Sequence, residues 1–359
     1  MTIYCGVEGG GTTWRVAIAE GHPSNITELE VFPTLDNASE QLAVIRKWLD
    51  NHKFDTLGIA TFGPIDPNPK SSTYGYITTT PKPGWHNVDV VGALSDGSVP
   101  VAFDTDVNAP ALAEYMWNGA EGETSCAYIT VGTGIGVGLV VNGKPIHGLL
   151  HPEAGHLCLQ RMAGDDFAGV DELFGASVEG LAATPGLAAR KGCERSELAN
   201  LSDDDPIWEP TAHALGSLCA SLVLVASPER IVLSGGVLNR TILYPMTRKW
   251  TRELLHGYID HPKVTTDAID TYITPSNFGQ RAGIVGALTL AHVALEGKRE
   301  HFPAAVSAKE GSQGHGCAVP KAGGDENALR FVQLVSKAAA ILTLAAAGIT
   351  MSKALLGRC

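Results

Sequence analysis

The sequence predicts an α/β protein built from two similar domains, and two glycine-rich turns are the main reason. The first turn lies in residues 6–13 (GVEGGGTT) and the second in residues 132–136 (GTGIG). The β-type runs that flank them span residues 2–5, 14–19, 126–131 and 137–141. Because each turn is followed by a further strand and then by helices, the pattern indicates a duplicated fold.

Glycine at such turns allows a close approach to an anion. A glycine backbone turns tightly, and its N–H groups can point at phosphate oxygens. Threonines in both turns add hydroxyl groups. The pair of turns therefore favours one polyphosphate held between two domains, and two tight hairpins without a ligand are the alternative.

The common nucleotide-binding motifs fit poorly. Gly6 and Gly11 have the spacing of a P-loop, but Thr12 and Thr13 stand where Lys and Ser or Thr are required. A strand also follows where a P-loop has a helix. Neither turn reads G-x-G-x-x-G ahead of a helix, which argues against a dinucleotide-binding fold.

The composition suits two globular domains and a tail. The chain has 359 residues, of which 44% are hydrophobic, and its net charge of −12 argues against a nucleic-acid-binding surface. Cysteines are scattered without a CxxC pair, so neither a zinc knuckle nor a disulfide framework is indicated. The first residues enter a strand directly, and we expect a cytoplasmic protein without a secretory signal.

The other elements follow from hydrophobic periodicity and from residues that break it. In the first half we expect strands at residues 28–32, 56–61 and 99–103, helices at 39–51 and 109–117, and an irregular functional loop at 71–85. In the second half we expect a loop at residues 143–150, helices at 178–187, 206–226 and 282–295, and strands at 231–233 and 271–274.

These elements define the domain organisation. The predicted parts are an N-terminal domain at residues 1–117 that the helix near residues 282–296 completes, a C-terminal domain at residues 118–281, a disordered linker at residues 297–327 and a helix at residues 328–359. The apolar core of that last helix is shorter than a membrane span of about 20 residues. We expect a packed or peripheral helix there, and a C-terminal membrane anchor is the less favoured alternative.

Two clusters of residues carry candidate chemistry. Asp106 follows a short strand, where α/β sheets place ligand groups. Its carboxylate could accept the proton of an attacking alcohol, or it could simply N-cap the next helix. The second cluster, HPEAGH at residues 151–156, offers Glu153 and His156 to vicinal hydroxyls. A metal site that includes Cys158 and an ordinary surface loop are the alternatives.

Taken together, the motifs resemble the bacterial-type fructokinases of the ROK sugar-kinase family. The resemblance covers about residues 3–296, and its motifs are GVEGGGTT, FGPID at 62–66, TTTPKPGW at 78–85, DTDVN at 104–108, YITVGTG at 128–134, HPEAGH, SPER at 227–230 and LSGG at 233–236. TTTPKPGW and HPEAGH are specific for the fructokinase branch, whereas the glycine turns alone indicate the actin-like ATPase superfamily. The resemblance implies two actin-like ATPase (ribonuclease H-like) domains with a ligand cleft between them, plus the C-terminal tail.

The resemblance also implies roles for the matching residues. It implies ATP and Mg²⁺ as cofactors, Asp106 as the catalytic base, and Glu8 as a residue that binds Mg²⁺ through water. The implied sugar-binding residues are Asn108, Glu153, His156 and Glu179. The implied nucleotide-binding residues are Gly9, Gly10, Gly11, Thr12 and Thr13 in the first turn, Gly132, Thr133 and Gly134 in the second, and Gly235 and Gly236 on the adenosine side.

One departure from the family pattern lies in the first turn. The family usually has Lys after its first Gly-Gly-Thr, where this chain has Thr13. One positive charge near the phosphates is thereby lost.

The other departure concerns a structural zinc. Related kinases hold this ion with a Cys–His–Cys set and the histidine that corresponds to His156. The matching positions here are Asp171, Phe174 and Ser177. With three ligands lost we expect no zinc, and we expect packing by Leu173 and Phe174 to fill the gap.

The sequence therefore predicts an ATP-dependent sugar kinase that converts fructose to fructose 6-phosphate. A kinase for glucose, mannose or an N-acetylhexosamine is one alternative, and a catalytically inactive sugar sensor is another. ROK repressors carry an N-terminal helix-turn-helix, but this acidic chain enters its first strand at residue 3, so we expect no nucleic-acid partner. Its partners are expected to be the sugar and ATP, and the family resemblance implies a homodimer.

Overall fold

Two halves of the chain each build a mixed sheet that helices cover. A computed structural model describes residues 1–301, with side chains described to residue 297. The rest of the predicted linker and the predicted helix at residues 328–359 lie outside the described residues, and so does the possible membrane anchor.

The N-terminal half contains the first sheet, and we call this half the N-terminal lobe. Its strands are β1 (Ile3–Gly9), β2 (Thr13–Glu20), β3 (Ile26–Pro33), β4 (Thr56–Thr61), β5 (Tyr76–Ile77), β6 (Val88–Asp89) and β7 (Val101–Thr105). Its helices are α1 (Ala38–Asp50), α2 (Val90–Leu94) and α3 (Asn108–Asn118). The sheet order is β3-β2-β1-β4-β7, with β1 to β3 antiparallel and with β4 and β7 parallel to β1.

The C-terminal half repeats this plan, and we call it the C-terminal lobe. Its strands are β8 (Ser125–Val131), β9 (Ile135–Val141), β10 (Lys144–Pro145), β11 (Ile231–Ser234) and β12 (Ile273–Pro275). Its helices are α4 (Val178–Ala182), α5 (Thr184–Lys191), α6 (Trp208–Ala226), α7 (Leu243–Leu254), α8 (Pro262–Thr265) and α9 (Ile269–Tyr272), and α10 (Ala282–His301) follows them in the chain. Its sheet order, β10-β9-β8-β11-β12, has the same sequence of antiparallel and parallel pairs. The predicted duplication is therefore present in the topology.

Strand register brings the turns and the strand ends together. Gly9 at the end of β1 pairs with Thr61, which pairs with Thr105 at the end of β7. Asp106 therefore leaves the sheet at the same edge as the first glycine turn. In the second sheet Thr130 pairs with Ser234, so Gly235 leaves the sheet beside the second turn.

The apolar side chains form a core in each lobe and a third between them. The third core combines residues from β1 and β8 with α3 and α10, so α10 packs against the N-terminal lobe although it follows the C-terminal lobe in sequence. A Cβ on Gly58 of β4 would lie only 1.9 Å from the carbonyl oxygen of Ala287 in α10, so glycine is what permits this close packing. The predicted boundary near residue 117 lies at the end of α3 and stays a prediction.

Helix α6 has the length and apolar composition of a membrane-spanning helix, but about two thirds of it is buried in the protein. Trp208, Leu215 and Leu222 are among its residues in the core of the C-terminal lobe. It is therefore the central core helix of that lobe.

Several element predictions were wrong in detail. The helix predicted at residues 39–51 spans Ala38–Asp50 instead, because Asn37 caps it and accepts a hydrogen bond from the N–H of Glu40. The predicted irregular loop at residues 71–85 contains β5, which pairs with β6. The helix predicted at residues 178–187 is broken at Ala183, where Pro185 begins a new helix. Helix α10 continues to His301, past the expected start of the linker at residue 297.

Candidate active site

The first glycine turn requires glycine at the end of β1. Gly9 pairs with Trp14 across the hairpin, and a Cβ on Gly9 would lie 2.6 Å from the indole ring. A Cβ on Gly11 would meet nothing within 4 Å among the described residues, so the tip of the turn is open. The turn is therefore closed on its protein side and accessible on the other.

Carbonyl groups of the first turn are held by the protein. Gly10 and Thr12 accept hydrogen bonds from the hydroxyl and the N–H of Thr34, each at 2.9 Å. Gly11 accepts a hydrogen bond from Nζ of Lys82 at 2.8 Å. The N–H groups of Gly11 and Thr12 donate to no acceptor among the described residues. The turn thus offers amide donors to an anion.

An aromatic stack lies beneath this turn. The rings of Trp14 and Trp85 are stacked with centroids 5.1 Å apart, and Phe62 packs edge-on against both. Trp85 is fully buried, and its indole N–H donates to the carbonyl of Leu35 at 2.8 Å. The TTTPKPGW segment is anchored here, and this anchor brings Lys82 to the turn that lacks a lysine at position 13.

The second glycine turn is held by a carboxylate. Gly132 donates to the carbonyl of Gly134 and accepts a hydrogen bond from the N–H of Thr184. Oε2 of Glu179 accepts the N–H of Ile135 at 2.8 Å, and a Cβ on Gly134 would lie 2.6 Å from the same oxygen. Glu179, predicted to bind sugar, therefore also fixes the predicted phosphate turn.

Two further predicted nucleotide residues lie at the second turn. Gly235 has φ +101° and lies against the end of β8, where a Cβ would be 2.3 Å from the carbonyl oxygen of Val131. Gly236 begins a 3₁₀ turn, and Thr133 is exposed at the tip of the second glycine turn. The structure therefore brings the second turn and the predicted adenosine-side turn together.

Asp106 lies between the lobes and does not cap α3. Its N–H donates to the carbonyl of Thr61. The N–H of Asn108, the first residue of α3, donates to the hydroxyl oxygen of Thr105. Burial raises the pKa of Asp106 to about 7, and the negative charges of Glu8 and Glu153 add to the rise. Glu8 belongs to the N-terminal lobe and Glu153 to the C-terminal lobe. Carboxylates from both lobes thus act on Asp106.

The predicted sugar-binding residues of the C-terminal lobe lie close together. Burial raises the pKa of Glu153, the charges of His151 and His156 oppose the rise, and Glu179 adds to it. Nε2 of His151 accepts the N–H of Ile65 at 3.0 Å, which ties HPEAGH to the N-terminal lobe. Glu153, His156 and Glu179 therefore form one polar group in the cleft.

Gly155 allows the HPEAGH loop to pack closely against the start of β9. A Cβ at Gly155 would lie 1.7 Å from the carbonyl oxygen of Ile135, at the start of β9. The backbone of the HPEAGH loop is thus in direct contact with the strand that follows the second turn. This contact, together with Glu179, connects the sugar-binding loop to that turn.

Asn108 is not brought to the cleft. It is 1% exposed, its amide nitrogen donates to Asp104 at 3.0 Å, and its oxygen accepts the N–H of Leu139 at 3.2 Å. The other oxygen of Asp104 bonds Nε2 of His147 at 2.9 Å, which raises the pKa of this half-buried histidine. The predicted sugar contact of Asn108 has no support in this arrangement, because the side chain holds α3 to Asp104 and β9.

The sequence reasoning assigned no role to Lys82, His147 or Asp104. Asp104 was visible as part of DTDVN and Lys82 as part of TTTPKPGW. Their contacts join segments that are far apart in the chain, and no local pattern signals such a contact.

The carboxylates near Asp106 suit a magnesium ion. Glu8 is paired with Arg15 at 3.1 Å, and burial raises its pKa while Arg15 opposes the rise. Mg²⁺ prefers oxygen ligands and is usually held by one or two carboxylates together with substrate phosphates. Glu8 is therefore the carboxylate that fits this ion.

The residues at the family's zinc positions do not fit zinc. Asp171 accepts hydrogen bonds from His156 at 2.7 Å and from the hydroxyl of Ser177 at 2.6 Å, and Phe174 has no ligand atom. Zinc in structural sites prefers cysteine and histidine. The expected packing was wrong for Leu173, which is 75% exposed, whereas the ring of the half-exposed Phe174 contacts that of His156 with centroids 5.1 Å apart. A polar network around Asp171 therefore holds most of this segment.

Comparisons with known proteins identify the family of this chain. Residues 4–294 match the ROK family. The chain is 36% identical over 292 residues to a putative fructokinase of Bacillus subtilis, covering 81% of this chain and 96% of that protein. It is 35% identical over 291 residues to a fructokinase of Pediococcus pentosaceus, covering 81% of this chain and 98% of the relative. The chain therefore belongs to the ROK family and is a sugar kinase of its fructokinase branch.

Solved structures show the same fold. A ROK family glucokinase of Streptomyces griseus, in complex with glucose and AMPPNP, aligns with a TM-score of 0.62 at 22% identity. The alignment covers 81% of this chain and 99% of that one. This likeness confirms the predicted α/β fold class of two actin-like ATPase domains.

Proposed function

We propose that this chain phosphorylates fructose to fructose 6-phosphate with ATP, and that Asp106 is the general base. The observation that carries the proposal is the position of Asp106 between the lobes, with a pKa of about 7. A base with a pKa near the working pH is ionised often enough to act and basic enough to take a proton. Asp106 would remove the proton of the sugar hydroxyl as that oxygen attacks the terminal phosphate.

Each group of residues around Asp106 has a role in this proposal. Glu153, His156 and Glu179 bind the other sugar hydroxyls, and the two glycine turns bind the phosphates through their N–H groups. Lys82 supplies positive charge at the first turn. Mg²⁺, when bound, would offset the charge of the transferred phosphate, and Glu8 would hold it through water. Closure of the lobes would exclude water from the reacting groups.

Fructose is the proposed substrate because relatives named fructokinase match the whole length of the described core. The two reported above cover 96% and 98% of their own length at 35–36% identity. Glucose, mannose and N-acetylhexosamines have similar hydroxyl patterns and belong in the same assay.

The test is a hexose panel with coupled ADP detection, followed by NMR of the product to locate the phosphate. Asp106→Asn should lower kcat by about 10²–10⁴-fold while the fold is retained, because general-base catalysis contributes that much. Exposed Asp267 provides the matched control, Asp267→Asn, which should be fully active. Near-wild-type turnover by Asp106→Asn would refute the role of Asp106. ATP consumption that no hexose stimulates would refute the proposed function.

Cellular location and assembly are proposals of the same kind. Cys5, Cys126 and Cys219 are buried free thiols, which supports a reducing compartment such as the cytoplasm. The homodimer rests on the family resemblance, and light scattering on the purified chain tests it.

A further inference from the structure

Asp171 is a nearly buried carboxylate with both oxygens occupied. One oxygen accepts hydrogen bonds from Nδ1 of His156 and the hydroxyl of Ser177. The other accepts the N–H groups of Leu173 and Phe174 at 3.0 and 3.1 Å. Its side chain is only 4% exposed. Four donors from three parts of the segment therefore converge on one side chain.

The network continues from Asp171 to the second glycine turn. The hydroxyl of Ser177 donates to Asp171 and accepts the N–H of Gly180, so it N-caps α4. Helix α4 carries Glu179, whose carboxylate accepts the N–H of Ile135 beside the turn. Asp171 thus fixes the loop that carries His156 and the helix that carries Glu179.

Asp171 also determines which nitrogen of His156 carries a proton. Burial alone would raise the pKa of Asp171, but hydrogen bonds from Ser177, His156 and two backbone amides lower it to about 2, so it is ionised. An ionised carboxylate only accepts hydrogen bonds. Nδ1 of His156 must therefore be the donor, which leaves Nε2 to contact a ligand in the cleft.

A metal ion could compete for the same residues. His156, Asp171 and Glu179 offer ligand atoms that all lie within 4.8 Å of one another, which is a candidate metal group among the described residues. A cation there would have to replace the hydrogen bonds of Ser177 and of the backbone amides to Asp171. The protein already satisfies this carboxylate without an ion.

We propose that Asp171 is a positioning residue that replaces the family's zinc: its hydrogen bonds, without any metal, hold His156 in one orientation and one tautomer for sugar binding. The inference rests on the proposed function in assigning His156 to the sugar. It predicts that fructose binding depends on Asp171 and that ATP binding at the first turn does not.

The first experiment combines metal analysis with kinetics of the full chain. Protein produced with added zinc should contain far less than one zinc per chain, and treatment with EDTA followed by fresh Mg²⁺ should leave its activity unchanged. In Asp171→Asn the amide would donate to Nδ1 of His156 and force the other tautomer. The KM for fructose should rise about 10-fold, as expected for a broken buried hydrogen bond, and the KM for ATP should rise less, because the second turn is reached indirectly, through Ser177 and Glu179.

Asp165 provides the matched control. It lies in the same segment and pairs with Arg190 and Arg161, and among the described residues it makes no hydrogen bond or ion pair with His156. Asp165→Asn should lower the melting temperature but leave the KM for fructose unchanged. Equal changes in KM for both variants would overturn the proposal, because Asp171 would then be merely structural. One tightly bound zinc per wild-type chain would overturn it as well.

A second variant restores the family's ligands. Asp171→Cys with Phe174→His and Ser177→Cys should bind about one zinc and recover the KM for fructose that Asp171→Asn loses, in a form sensitive to EDTA. Recovery of the KM for fructose without bound zinc would count against the proposal that the hydrogen bonds of Asp171 replace the zinc. If the wild type phosphorylates no hexose, the proposed function fails, whereas the zinc content and a fructose-induced thermal shift still test the role of Asp171.

Discussion

The two glycine turns occupy equivalent places in the two sheets, but the protein holds them by different means. The first turn rests on the stacked rings of Trp14 and Trp85, and Lys82 bonds one of its carbonyls. The second turn is fixed by Glu179, which accepts an amide next to the turn and also belongs to the proposed sugar site. The two turns therefore share one topology, but the second, unlike the first, is held by a residue of the proposed sugar site.

This difference predicts that changes at the two turns affect the binding of the two substrates differently. Changes at the first turn should affect the nucleotide alone, since an apolar stack and a lysine hold it. Changes at the second turn should affect both substrates, since Glu179 and the HPEAGH loop contact the same strand start, Ile135. Asp106 lies where carboxylates of both lobes influence its pKa.

The largest expected effect is the fall of kcat/KM at low pH, where Asp106 becomes protonated. A base must be ionised to act, and the pKa of Asp106 is raised to about 7, so kcat/KM should fall as the pH drops through 7. The loss should reach about 100-fold at pH 5, where about 1% of the carboxyl is ionised. The measurement is a pH profile of kcat/KM at saturating Mg²⁺.

Two variants use this profile to compare how strongly each lobe raises the pKa of Asp106. Glu8→Gln and Glu153→Gln each remove a negative charge that raises the pKa of Asp106. Both should shift the acidic limb to lower pH, and Glu8→Gln should shift it further because Glu8 has the larger influence. An acidic limb that neither variant moves would mean that another group controls the profile.

A smaller effect is expected at Glu179. Glu179→Ala removes the acceptor for the N–H of Ile135 and a proposed sugar ligand together, so kcat/KM should fall roughly 30-fold, as for a lost charged hydrogen bond. The KM values for fructose and for ATP should both rise. Glu153→Ala is the comparison, and it should raise the KM for fructose but leave the KM for ATP unchanged. If Glu179→Ala left the KM for ATP unchanged, the coupling of the second turn to the sugar site would be wrong.

The sequence predicted most of the fold because the repeated hairpin, helix and strand pattern is local. Strand β4 was predicted with its observed bounds, residues 56–61. Short elements such as β5 and β10 were missed because two residues carry no periodicity. The break at Ala183 was missed although Pro185 marks it, since apolar residues continue across it.

The candidate site was predictable only where a motif carried it. Asp106, Glu153, His156 and Glu179 came from motifs, and the structure brings them into one cleft. Asn108 came from the same reasoning but is buried, because its two hydrogen bonds depend on Asp104 and on a strand about thirty residues away. Asp171 was identified as a lost zinc ligand, but its hydrogen bonds to four donors are visible only in three dimensions.

The smallest expected effect, at Lys82, is the sharpest test of the comparison between the turns. Lys82 is partly exposed and donates to the carbonyl of Gly11, so a bound triphosphate would lie close to its charge. Exposed charge pairs contribute up to about 1 kcal/mol, so Lys82→Met should raise the KM for ATP about fivefold and leave the KM for fructose unchanged. Exposed Lys144 in the other lobe provides the control, Lys144→Met, which should change neither.

The effect of Lys82→Met should also weaken at high salt, because exposed charges are screened. Thr13→Lys restores the lysine that the family usually has at this position, and it should recover most of the lost ATP affinity when combined with Lys82→Met. Recovery would mean that the two positions supply interchangeable charge to the same phosphates. A rise in the KM for fructose in Lys82→Met, or no rescue by Thr13→Lys, would mean that Lys82 acts by anchoring the TTTPKPGW segment, and the first turn would then be linked to the sugar as the second is.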